Sequence, residues 1–205
     1  DKDIIAMTKD RFLPPSWEHP FGTDNMGRDI FKRVLYGAKY SLVLSFGATA
    51  LGLAVGLFFG AIAGYYGGAV DNIIMRFTDI FYSIPYIMLA VVVVSLLGTS
   101  MASLLIAMAL GSFAGFARIA RASIMTVRDM EYVESGYAIG LPTWKIILKH
   151  IIPNCLSPII VQTTLRVGSN IISASSLSFL GVGITPPTPE WGAMLSDGRS
   201  YIRSS

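Results

Sequence analysis

Two stretches of this chain carry no charge over lengths that a soluble domain does not sustain. Between Lys39 and Asp71 lie 31 residues without Asp, Glu, Lys or Arg, and between Asp79 and Arg118 lie 38 more. A helix that spans a bilayer needs about 20 mostly apolar residues. The first run fills one span with SLVLSFGATALGLAVGLFFGAIAG, residues 41–64. The second divides at GTS, residues 98–100, into spans over 79–98 and 101–121 that form a tight helical hairpin. A fourth run covers 154–180 and is interrupted by Arg166. Four spans predict an all-α integral membrane protein, a multi-span helical bundle forming one transmembrane domain over residues 1–205. Only 14% of the residues are charged and 53% are hydrophobic, where a soluble domain has about 25% charged. A net charge of +3 without blocks of like charge gives no reason to expect a nucleic-acid partner.

Finer patterns lie inside the spans. Gly52, Gly56, Gly60 and Gly64 recur every fourth residue, with Ala48 and Gly68 extending the row. At helical spacing this is a flat strip on which another helix can approach closely; the plainer alternative is the general abundance of glycine in membrane helices. Pro85 falls about one turn into the second span, where it removes a backbone hydrogen bond and bends the helix. Such a bend either lines a pathway or fits a neighbour. Arg166 is the charge placed deep in a predicted span. Charge at mid-bilayer costs roughly 3 kcal/mol or more, so Arg166 either faces a substrate pathway or snorkels to the surface.

Between the third and fourth spans the chain turns polar: EYVESGYAIGLPTWKIILKHIIPN, residues 131–154. Asp129 is placed to cap a helix from about Met130, with Ser135, Gly136, Ala138 and Gly140 supplying small residues. Gly140, Leu141 and Pro142 end it, because glycine suits a helix C-terminus and proline disfavours helix in its predecessor. Thr143 is placed to cap a second helix with an apolar stripe of Trp144, Ile147, Leu148 and Ile151. Pro153 ends or kinks it. The segment 128–153 therefore reads as a helix–turn–helix at the membrane surface, either receiving another protein or simply connecting two spans.

The spacing of Glu134, Gly140 and Pro153 resembles the Glu-Ala-Ala loop of ATP-binding-cassette (ABC) importer permeases, with Ser135 and Gly136 replacing both alanines, His150 the isoleucine and Ile152 the leucine. HPFGTDNMGRDIFKRVLYGAKYSL (19–42) and SLSFLGVGITPPTPEWGAML (176–195) resemble further segments of the permeases in the dipeptide, oligopeptide and nickel group, nearest its "C"-type subunit. The resemblance implies a type I importer permease, a multi-pass protein of the prokaryotic plasma membrane. It implies that 128–153 is a cytoplasmic coupling loop. Glu134, Ser135, Gly136, Gly140, Leu141, Pro142 and Pro153 would then meet a separate ATPase. It also implies that 1–40 and 182–205 are extracytoplasmic. This agrees with the near-span cations: Arg28, Lys32, Arg33 and Lys39 on one side, against Arg76, Arg118, Arg121, Arg128, Lys145 and Lys149 on the other. The implied partners are a second permease subunit, two ATPase subunits, an extracytoplasmic substrate-binding protein and membrane lipid. Such permeases have six spans, so the first is expected upstream of Asp1 and the last downstream of Ser205. Phe31, Val34, Leu35 and Ala38 form a stripe suited to an interfacial helix or to contact with the delivering protein.

No phosphate-binding Gly-x-x-x-x-Gly-Lys loop, Gly-x-Ser-x-Gly, His-Glu-x-x-His or Cys-x-x-Cys occurs. Cys155 has no partner for an internal disulfide, and His19 and His150 are expected on opposite membrane faces, too far apart to share a metal. The chain is therefore expected to be non-catalytic and to bind no cofactor, with ATP and magnesium on the partner ATPase. Two other classes remain open: a gradient-driven secondary transporter or channel, which would want acids inside the spans, and a membrane scaffold recruiting a soluble partner.

Overall fold

The computed structural model describes residues 10–184, 187–199 and 201; the other parts of the two expected outer segments lie outside the described residues. The first helix, α1 (Ile30–Tyr66), has 37 residues. At about 1.5 Å per residue it is about 55 Å long, against a hydrocarbon core of about 30 Å. The stripe around Phe31 and Val34 is therefore not a separate interfacial helix but the N-terminal end of α1. Asp29 fixes that end, its carboxylate accepting the Lys32 backbone N–H at 3.0 Å, and the helix stops at Gly67, φ +63°.

The second span departs most from expectation, because 79–98 is not one helix. Instead α2 (Gly68–Ser83) and α3 (Tyr86–Leu97) meet at 88°. Ile84 is extended, φ −83° and ψ 125°, as proline imposes on the residue before it. Pro85 thus separates two helices rather than bending one. By itself α3, with 12 residues, rises only about 18 Å. Asp71, which the sequence leaves between two spans, and Asp79, expected to open the second span, sit on α2 and hold it to the second long helix, α4 (Met101–Arg128). Arg121 grips Asp71 through two nitrogens, and the Arg118 Nη2 donates to Asp79 at 2.6 Å. Ser100 caps α4 by accepting the Ser103 N–H at 3.0 Å.

Four helices follow: α5 (Glu131–Ala138), α6 (Thr143–Asn154), α7 (Leu156–Phe179) and α8 (Trp191–Arg199). The axes of α6 and α7 differ by 59°. Among the described residues only α1 and α4 are long and apolar enough to cross a membrane unaided, and up to four crossings result if each bent pair is one span. The α2–α3 pair leads from the end of α1 back to the start of α4, so it runs the length of the bundle.

The glycine strip is the principal joint. Gly52, Gly56, Gly60 and Gly64 meet, in that order, Ser112, Phe116, Ala117 and Arg121, so α1 and α4 run parallel at close approach. A Cβ on Gly56 would lie 2.5 Å from the Phe116 Cβ and 2.6 Å from the Phe113 carbonyl oxygen. Ala48 extends the row as a fully buried residue, but Gly68 does not, since it opens α2 and faces open space. Two apolar clusters complete the core. Leu44, Val94, Leu104, Met108 and Leu177 pack at one end, and Ile124, Val133, Ile146, Ile151 and Ile159 at the other. Between them the Asn170 side chain donates to the Thr49 hydroxyl at 2.9 Å, both buried, and ties α7 to α1.

A buried acid seats α8 against the N-terminal end of α1. Glu190 is fully buried; it accepts the Ala193 N–H at 3.0 Å and the Ser41 hydroxyl at 3.3 Å. The Trp191 indole donates to the Val34 carbonyl at 3.0 Å. This explains what PEWGAML, residues 189–195, does physically: it caps α8 and docks it.

Candidate functional site

At the end of the bundle where α1 and α4 terminate, α5 and α6 form a projecting knob. Glu134, Ser135 and Gly136 lie on α5; Gly140, Leu141 and Pro142 make the turn; Pro153 lies in the last turn of α6. The turn is a Schellman closure: Leu141 N–H donates to the Gly136 carbonyl at 3.1 Å and Gly140 N–H to the Tyr137 carbonyl at 2.9 Å. Gly140 holds φ +75° there, the left-handed conformation that such a closure requires. Neither expected cap forms. Met130 precedes α5 without a side-chain bond, and Thr143 is already inside α6 after Pro142. Asp129 instead accepts the Arg128 Nε at 2.8 Å, and this bond holds its carboxyl below the usual range.

The apolar stripe expected on α6 is also rearranged. Ile147–Ile151 form a π-turn, in which the Ile152 N–H reaches back to the Ile147 carbonyl. Pro153 has no N–H to offer the Lys149 carbonyl and would clash with it in an α-helix; the wider turn removes that clash. The inward residues become Ile146 and Ile151, both fully buried, while Trp144 and Leu148 turn outward at 59% and 56% exposure. Of the small residues on α5, Gly136 faces inward, with the Ile146 Cγ1 3.6 Å from where its Cβ would stand. Glu134 and Ser135 face outward beside Ile139, 75% exposed.

A latch absent from the sequence reading ties the knob to the long helices. The Tyr137 hydroxyl of α5 bonds the Tyr65 hydroxyl of α1. Loss of solvation, and then that bond, push the Tyr137 phenol up to about 12. Arg128, at the end of α4, donates from Nη1 to the Gly64 and Tyr65 carbonyls at 3.2 and 3.1 Å. It thus satisfies the last carbonyls of α1, where a cation is also favoured by the helix dipole. Tyr65, Tyr66, Arg128, Asp129, Glu134 and Tyr137 surround an open recess of about 500 Å³.

A second locus lies midway along the bundle, where the two pathway candidates converge. Tyr86 follows Pro85 directly, and its ring lies where a side chain on Gly111 of α4 would stand. One turn on, the Arg166 Nη2 lies 3.0 Å from the Cβ position of Gly115. Glycines of α4 thus let the Tyr86 ring of α3 and the Arg166 side chain of α7 lie close against that helix. Arg166 is half-buried and lies near the midpoint of α7. On α7, Gln162, Arg166, Ser169, Ser173 and Ser176 recur at four- and three-residue steps and share one side of the helix, while Thr163, Thr164, Asn170, Ser175 and Ser178 place further polar groups around it.

These features define an all-helical protein with membrane-spanning helices, a projecting helix–turn–helix at one end and an arginine near the middle of α7. The chain belongs to the family of binding-protein-dependent transport system inner membrane components, whose model matches residues 56–202. It is 46% identical over 195 residues to the dipeptide transport system permease protein DppC of Alkalihalophilus pseudofirmus, covering 95% of this chain and 64% of that protein. It is 43% identical over 186 residues to the glutathione transport system permease protein GsiD of Pectobacterium atrosepticum, covering 91% and 62%. The chain thus spans less than two thirds of the length of these relatives. Among solved structures it is similar in fold to inward-facing forms of the MetNI methionine ABC transporter. One has a TM-score of 0.70 at 18% identity, covering 86% of this chain and 84% of that one. An amino acid ABC transporter crystallised with histidines is also similar, with a TM-score of 0.60 at 17% identity, covering 84% and 87%.

Proposed function

We propose that this chain is a permease subunit of an ABC importer for di- or oligopeptides, crossing the prokaryotic plasma membrane four times within residues 30–180. The knob formed by α5 and α6 carries the proposal. It exposes Glu134, Ile139 and Trp144 at one tip while Tyr137 and Arg128 tie it to α1 and α4. Exposed apolar and acidic groups on a rigid projection suit docking into a cleft of another protein, here an ATPase subunit on the cytoplasmic side. The cations near that end, among them Arg121, Arg128, Lys145 and Lys149, favour the cytoplasmic face. ATP and its magnesium belong to two such ATPase subunits, and this chain contributes no catalytic group and no cofactor site. A second permease subunit completes the pathway, and an extracytoplasmic binding protein delivers solute at the end where α8 docks on α1. The names of the dipeptide and glutathione relatives support a peptide substrate.

In this reading closure of the ATPases displaces the knob as a rigid body. The latch carries the movement to α1 and α4, and α6 carries it to α7. Gly140 tests the assignment. Nothing lies within 4 Å of a Cβ added there, so a substitution acts through φ +75° and not through crowding. In the assembled transporter Gly140→Val should abolish substrate-stimulated ATPase activity with membrane insertion intact. Gly140→Asn, which tolerates that conformation, should retain it. Normal coupling in the valine variant would sink the docking role.

A further inference from the structure

We infer that a phospholipid of the phosphatidylethanolamine class binds between α1 and α6, an acyl chain along α1 and the ammonium headgroup in the recess beside Arg128. Such a site requires α1 to cross the bilayer and does not depend on which solute or ATPase the chain serves.

Ala54, Phe58, Ala61 and Tyr65 follow one another at four- and three-residue steps along one face of α1. With Ile147 and Ile152 of α6 they line a groove of about 390 Å³. At about 100° per residue that face is turned away from the glycine strip that meets α4. The lining is hydrocarbon apart from tyrosine hydroxyls, so within a bilayer an acyl chain fills it better than water does. From Ala54 to Tyr66, the extent of the groove on α1, the helix rises about 18 Å. Half of a hydrocarbon core of about 30 Å is about 15 Å, so the groove has the depth of one leaflet. Tyr65 and Tyr66, their rings edge to face at 5.1 Å, stand at its end. Tyrosine is the residue expected where hydrocarbon gives way to headgroups.

At that tyrosine pair the groove adjoins the recess of about 500 Å³, which Tyr65 and Tyr66 also line. There two carboxylates, Asp129 and Glu134, stand against one guanidinium, Arg128. The guanidinium is already engaged: Nε and Nη2 donate to Asp129 at 2.8 and 3.3 Å, and Nη1 to the Gly64 and Tyr65 carbonyls. Glu134 has no ion pair among the described residues, and the Asp129 side chain stays largely exposed. The recess thus carries surplus negative charge. It disfavours a headgroup that is anionic only, and suits a primary ammonium donating to both carboxylates. A choline headgroup brings the charge but no N–H. The exposed Tyr66 supplies a hydroxyl for the phosphate where the two cavities adjoin. Glu134 stands where the recess meets the tip of the knob, so the headgroup would border a docked partner rather than replace it.

The test offers the assembled transporter, in detergent, equal amounts of phosphatidylethanolamine, phosphatidylglycerol and phosphatidylcholine with identical acyl chains. Native mass spectrometry counts the lipid retained. The wild type should retain phosphatidylethanolamine several-fold over either competitor. Glu134→Gln should bring the three lipids near parity. Ala61→Phe, which fills the groove, should lower retention of all three several-fold. Ala54→Phe, at the exposed far end of the groove, should do the same if Ala61→Phe fails to assemble. Val43→Phe, on an exposed part of α1 outside the groove, should retain lipid as the wild type does. Parity in the wild type, an unchanged preference in Glu134→Gln, or alanine variants that match Val43→Phe would overturn the site. So would crosslinking of Phe58→Cys, in a Cys155→Ser chain, to a second permease subunit, because protein would then cover the groove. Absence of ATP-dependent uptake bears on the importer reading alone and leaves the lipid count to be read separately.

Discussion

Gly56 and Gly168 both lie within helices of the bundle, yet different physics governs them. A Cβ on Gly56 meets backbone and Cβ atoms of α4 at 2.5–2.9 Å, while one on Gly168 meets nothing within 4 Å. Backbone cannot swing aside as a flexible side chain can. Gly56→Ala should therefore force α1 and α4 apart and destabilise the protein by about 1–3 kcal/mol, the usual cost of overpacking. Gly168→Ala should stabilise α7 by about 0.5–1 kcal/mol, because alanine loses less backbone entropy in a helix than glycine. Thermal unfolding of the two variants in one detergent compares them directly. Equal midpoints would mean that the α1–α4 approach is looser than its geometry indicates. Gly140 is a third case, open in space but held at φ +75°, so only the conformation of its replacement matters.

Among the elements, α6 shows most clearly how a single residue reshapes its neighbours. If Pro153 causes the π-turn, Pro153→Ala frees the Lys149 carbonyl to accept an ordinary α bond. The segment before it then loses the extra residue and rotates by about 100°, one residue's turn. Ile146, now fully buried, should move outward. A cysteine at 146, in a chain with Cys155→Ser, should resist maleimide with Pro153 present and react when alanine replaces it; equal protection in both would acquit the proline. The same element shows why some of the fold was legible in the sequence and some was not. The glycine strip could be read because it repeats at the period of an undistorted helix and its partner needs only to be another helix. The stripe expected on α6 does not form because the π-turn changes that period locally. Pro85 was equally ambiguous: proline signals a kink or a break alike, and the break is fixed by Asp71 and Asp79 holding α2 to α4 through arginines about 40 or more residues away. The Tyr65–Tyr137 latch joins residues 72 apart and leaves no local trace. The polar character of α7 around Arg166, by contrast, is legible in the sequence when that arginine is taken with its helical neighbours Gln162, Ser169 and Ser173.

For the whole molecule, the proposed docking role requires that a displacement of the knob be passed to the long helices. The knob itself is short, and α5 packs on the rest mainly through Val133 and Gly136. What joins it to the long helices is Arg128, which ends α4, donates to the last carbonyls of α1 and pairs with Asp129 just before α5. Because α1 and α4 are locked along the glycine strip, a displacement transmitted at Arg128 moves both as one body, and Gly111 and Gly115 on α4 move with them. Arg128→Gln should leave the strip intact but uncouple its end from the knob. We expect the assembled transporter carrying it to move about tenfold less solute per ATP hydrolysed, a change within the usual range of coupling free energies, about 1–3 kcal/mol. Arg118→Gln is the proper comparison. That arginine also pairs with an acid, Asp79, but both side chains are nearly half exposed, at 41% and 50%, and such pairs contribute about 1 kcal/mol or less. It touches neither the end of α1 nor the knob, so its ratio of uptake to hydrolysis should match the parent. If the two variants lose coupling equally, the route through Arg128 is wrong and the movement must pass along α6 and its π-turn into α7 instead.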